Sequence, residues 1–77
     1  MKLKVLRVIC KANGIHIRAV SIFRGFYTLE LRSGLAVAYC KVKANRNGNA
    51  EDNVIVGLGK SGNFAGMEMA QKLLSLK

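Results

Sequence analysis

Glycine-centred turns divide the first half of this chain into short runs, and that spacing limits its fold more than any other feature. Asn13-Gly14, Gly25 and Ser33-Gly34 separate runs of seven to twelve residues rich in Val, Ile, Leu and aromatic side chains. Strands joined by such short turns can only be antiparallel, because a parallel return needs a crossover of a dozen or more residues. The expected product is a set of hairpins. A two-residue turn at Asn13-Gly14, the pair favoured by type I′ geometry, sets Ala12, Cys10 and Val8 against Ile15, Ile17 and Ala19 on an apolar face. Its other face carries Lys11 opposite His16, Ile9 opposite Arg18 and Arg7 opposite Val20. The rival for residues 2–12 is a helix, since Lys4, Arg7 and Lys11 also share one helical stripe, and both remain open. β-Branched Val5, Val8 and Ile9 favour the strand.

A second hairpin is expected over residues 26–43, turning at Ser33-Gly34. That register sets Leu31, Leu29 and Tyr27 against Ala36, Ala38 and Cys40, large against small as a core layer requires. Phe26, Thr28, Glu30 and Arg32 then face Lys41, Tyr39, Val37 and Leu35 on the outside. Residues 45–53, polar and asparagine-rich, read as a mobile loop. A short strand over residues 54–56 follows, then a helix from residue 63 or 64 to 76. Its expected stripe is Phe64, Met67, Ala70, Leu73 and Leu74, with Ser61 or Asn63 as N-cap. The expectation is α+β: one domain, residues 1–77, with a small antiparallel sheet of four to five strands in two hairpins. One C-terminal helix packs on a face of the sheet.

The cluster Gly57-Leu58-Gly59-Lys60-Ser61-Gly62 between that strand and helix admits several readings. Gly57, Gly59 and Gly62 satisfy G-x-G-x-x-G, and residues 54–62 resemble the opening strand and turn of the ligases that add amino acids to muramyl precursors. A dinucleotide site also needs a second parallel strand and an acid about 20 residues on, which the sequence does not supply. A P-loop needs a glycine where Val54 stands. The segment from Gly57 to Leu76 also resembles the last strand and helix of double-stranded-RNA-binding domains. Gly57, Gly59, Ser61, Ala65, Met69, Ala70 and Leu73 fall at matching places. The resemblance implies an RNA-binding role and a phosphate contact at the helix start through Lys60 and the amides around residues 61–63. It departs in three ways. The family's paired lysines fall on Gly62 and Asn63, the family opens with a helix, and residues 45–53 are an insertion. The plainest reading of the cluster is a corner, where glycine permits positive φ and close helix–sheet approach.

No catalytic constellation is expected. His16 is the one histidine, and Glu30, Glu51, Asp52 and Glu68 form no pair with a positioned base. Neither Cys10 nor Cys40 has a metal-ligand spacing or partner histidine, so a non-enzymatic protein without cofactor or metal is expected. The signal that remains is charge. The chain carries a net +9, and ten of its thirteen Lys and Arg precede residue 49, where Glu30 is the only acid. The expected nucleic-acid-binding set is Arg7, Lys11, His16, Arg18, Arg24, Arg32, Lys41, Lys43, Arg46 and Lys60, gathered on one side of the sheet. Phe26 and Tyr39 are available to stack bases. The partner is then RNA or DNA. The alternative is a protein-binding inhibitor or adaptor, of the type phages direct at a host protein complex, or a homodimer, using Ile9, Val20, Ile22, Leu35, Val37 and Tyr39. The opening run is interrupted by Arg7 and Lys11, and no apolar stretch reaches membrane-spanning length. No membrane association and a cytoplasmic location are therefore expected.

Overall fold

The computed structural model describes residues 1–44 and 49–76, and for Lys60 the backbone alone. It has the expected α+β class with an added helix at the start. The order is α1 (Leu3–Ala12), β1 (His16–Phe23), β2 (Phe26–Ser33), β3 (Ala36–Lys43), a 3-10 turn (Ala50–Asp52), β4 (Val54–Gly62) and α2 (Phe64–Ser75). The strands form one antiparallel meander in the order β1-β2-β3-β4.

The first correction is α1, which replaces the expected strand over residues 4–12. Leu3, Leu6 and Cys10 lie on one helical face and are buried, whereas Val8 is 70% exposed. Burying a leucine contributes about 2 kcal/mol, more than the roughly 1 kcal/mol span of β-propensity. The Asn13-Gly14 pair ends the helix instead of turning a hairpin. Gly14 has φ +69°, the Ile15 N–H donates to Cys10 O (2.8 Å) and the Gly14 N–H to Lys11 O (3.4 Å). These are the two hydrogen bonds of a Schellman cap. At the other end, the Leu3 N–H donates to the Asn53 carbonyl (2.8 Å), and Asp52 supplies the negative charge that the first turn lacks.

The first hairpin therefore joins β1 and β2. Arg24 and Gly25 both have positive φ, +50° and +79°, as a type I′ turn requires. The β2–β3 turn lies one residue later than expected, at Gly34-Leu35. Gly34 has φ +59°, and Leu35 is not among the residues with positive φ, matching a type II′ turn with glycine first. Leu31 thus pairs with Ala38, Leu29 with Cys40 and Tyr27 with Val42, a shift of two positions that leaves every side chain on its expected face.

β4 runs through the glycine cluster as far as Gly62, well past residue 56. Its register shifts twice, and the second shift sets residues 59–61 opposite Tyr39 alone. The helices pack on the face carrying Leu29, Leu31, Ala38, Cys40 and Val42, where Leu3, Leu6, Cys10, Ala70 and Leu73 complete the core. The stripe of α2 is rotated from expectation. Gly66, Ala70 and Leu73 are buried and Met69 packs against them, while Phe64 and Met67 are exposed. The cause is close contact. A Cβ on Gly66 or Gly62 would collide with the Val37 carbonyl, and one on Gly59 would lie 2.6 Å from the Ala70 Cβ. Asn63 ties down the same corner. Its Oδ1 accepts from the Gly66 N–H (2.7 Å) and the Val37 N–H (3.1 Å), and its Nδ2 donates to Leu35 O (2.6 Å).

Candidate functional site

With both helices on one face, the opposite face of the sheet has no element over it among the described residues. Cross-strand pairing arranges its side chains in rows. Arg32 of β2 lies between His16 of β1 and Val37 of β3, and Glu30 lies between Arg18 and Tyr39. Thr28 lies between Ser21 and Lys41, and Phe26 between Phe23 and Lys43. Val54 and Gly57 of β4 continue the last two rows beside Lys43 and Lys41. The cations fall at opposite ends of a diagonal. His16, Arg18 and Arg32 lie toward the β2–β3 turn, and Lys41 and Lys43 toward the β1–β2 turn, with Tyr39 and Thr28 between them.

Electrostatics divide this face in two. Glu30, 7% exposed, accepts through Oε1 from Arg32 Nε (3.3 Å) and Arg18 Nη2 (3.5 Å), so one carboxylate holds both guanidinium groups. His16 lines the same shallow depression. Lys41 and Lys43 have no acidic partner among the described residues. The Lys41 ammonium lies 4.8 Å from the centre of the Phe26 ring, and the Arg24 guanidinium 5.2 Å from that of Phe23.

Five of the ten expected site residues, His16, Arg18, Arg32, Lys41 and Lys43, share this face, and Arg24 sits at its edge in the β1–β2 turn. Arg7 and Lys11 do not, because they belong to α1. Arg7 is paired with Glu51 (Nε to Oε1, 3.0 Å), and Lys2 and Lys4 lie 3.8 and 3.5 Å from Asp52. Arg46 and the Lys60 side chain lie outside the described residues. The amide of Asn63, expected at a helix-start anion site, instead donates to Val37 O (3.2 Å). Phe26 and Tyr39 lie on the outer face as expected. Phe23 joins them, which sequence reading missed because its position depends on the Val20 bulge between Ala19 and Ser21.

Cys10 and Cys40 are free and buried in the core, and burial pushes both thiols up to about 11. Of the apolar set expected at a protein interface, Ile9 packs against the core. Ile22 and Leu35 are 83% and 90% exposed. No helix among the described residues is long and apolar enough to cross a membrane. Among the described residues, no group of three or more His, Cys, Asp or Glu could hold a metal ion. No protein-family profile, curated protein or solved structure matches the chain.

Proposed function

We propose that this protein binds single-stranded nucleic acid across the open face of its sheet and performs no catalysis. One observation carries the reading: Phe26 and Tyr39 stand among Arg18, Arg32, Lys41 and Lys43 on a face that no other element covers among the described residues. Cations along such a surface neutralise backbone phosphates, and aromatic rings stack unpaired bases, which a duplex would keep hidden. Two free buried thiols fit a reducing compartment, in keeping with a cytoplasmic role. The chain order, helix first and helix last, supports the resemblance to double-stranded-RNA-binding domains. The positions of that family's paired lysines, however, hold Gly62 and Asn63, and both are committed to packing against β3. The weight therefore moves from the helix start to the sheet, and from duplexes to single strands.

The test is fluorescence anisotropy with labelled single-stranded and duplex oligonucleotides. Four phosphate contacts on a single strand weaken affinity by about 50-fold between 50 and 200 mM salt. Lys41→Glu with Lys43→Glu should abolish binding while the protein stays folded. No single-strand binding at 50 mM salt overturns the reading. A second reading, a protein partner or a second copy of this chain, is favoured by exposed Ile22 and Phe23 at the β1 edge. A dimer in light scattering would carry it.

A further inference from the structure

Beside Tyr39 the open face is not flat. The register of β4 sets residues 59–61 against Tyr39 alone, and Gly57 stands opposite Lys41 without a side chain to fill the space. The result is a depression of about 250 Å³ whose lining includes Thr28, Tyr39, Lys41, Val56, Gly57 and Ser61, with Cys40. That volume lies just below the range of drug-sized pockets, a size that suits one planar ring. The hydroxyls of Thr28, Tyr39 and Ser61 have no hydrogen-bond partner among the described residues. Lys41, one of the lining residues, has its ammonium beside the Phe26 ring.

We infer that this depression receives one unstacked nucleobase, seated against the Tyr39 ring, with its polar edge read by the hydroxyls of Thr28 and Ser61. The inference rests on the nucleic-acid reading above and deepens it from backbone contact to base readout. A hydroxyl can both donate and accept, so two of them favour the bases whose edge groups match their positions. The ring supplies attraction common to all bases, and the hydroxyls supply the difference between them. Lys41 meets the phosphate that follows. The residues that distinguish bases are thus separate from those that set overall affinity.

The experiment measures the binding of eight-nucleotide single strands, each built from one base, in ribose and deoxyribose forms, against an abasic backbone of equal length. The wild-type protein should bind base-bearing strands roughly tenfold more tightly than the abasic backbone. Its affinities for the four bases should spread by about fivefold. Tyr39→Leu removes the first difference. Thr28→Val with Ser61→Ala collapses the second, leaving the salt dependence unchanged because no phosphate contact is lost. Equal affinity for all strands, the abasic one included, with salt-dependent binding intact, overturns the base site and leaves the interface standing. Absence of binding to every strand at 50 mM salt overturns both.

Discussion

The two faces of β2 and β3 are built from alternate residues of the same strands, yet they serve opposite ends. One carries Leu29, Leu31, Ala38, Cys40 and Val42, all buried under the helices. The other carries Phe26, Thr28, Arg32, Tyr39, Lys41 and Lys43, none of them fully buried. Backbone pairing is common to both faces, so the difference comes from side chains alone. The covered face holds the domain together, and the open face is free to be chosen for something else. Glu30 is the exception, a carboxylate with little exposure on the open face, held between two arginines. Its carboxylate is met by the guanidinium groups of Arg18 and Arg32.

Paired substitutions on the two faces test that separation. Leu31→Ala on the covered face should cost about 3 kcal/mol in urea unfolding, from lost transfer energy and the cavity it leaves. Lys41→Ala, on the neighbouring strand and the open face, should stay within about 0.5 kcal/mol and weaken oligonucleotide binding instead. Comparable stability losses would show the open face to be structural.

Gly66→Ala comes next. The added methyl meets the Val37 carbonyl, a backbone group that cannot swing aside, so α2 must lift from β3 at a cost of about 2 kcal/mol. Near-wild-type stability would show that the helix start has slack. Gly14→Ala should cost about 1 kcal/mol, because alanine resists the positive φ at the C-terminal cap of α1.

That glycine also explains which parts of the fold were legible in the sequence. The faces of β2 and β3 could be read because alternation survives a register shift of two, so misplacing the turn by one residue moved no side chain across the sheet. Asn13-Gly14 could not be read alone, since a type I′ hairpin and a Schellman cap both use a left-handed glycine. What decides between them is burial of Leu3, Leu6 and Cys10 against strands far along the chain, and local pattern does not contain that information. The consequence for the site was direct. Arg32, Lys41 and Lys43 keep the outer face because they lie on those strands, and Arg18 reaches it from β1 opposite Glu30, whereas Arg7 and Lys11 leave the sheet with the helix. The rotated stripe of α2 has a similar origin. Apolar count favoured Phe64 and Met67, but contact distance to Val37 selected Gly66.

The smallest expected effect concerns α1, whose cations, like Arg18 and Arg32 but unlike Lys41 and Lys43, have acids at hand. Arg7 lies 3.0 Å from Glu51, and both side chains are about half exposed, so water screens the pair. A double-mutant cycle of Arg7→Ala and Glu51→Ala should give a coupling below about 0.5 kcal/mol, shrinking further as salt rises. The same pairing lowers the local field that a polyanion would meet at α1, because Glu51 and Asp52 offset Lys2, Lys4 and Arg7 within a few ångströms. Lys4→Ala with Arg7→Ala should therefore weaken single-strand binding less than Lys41→Ala with Lys43→Ala, although each double variant removes two positive charges. Equal losses would mean that binding follows net charge alone, and the distinction between a neutralised helix and an available sheet would fail.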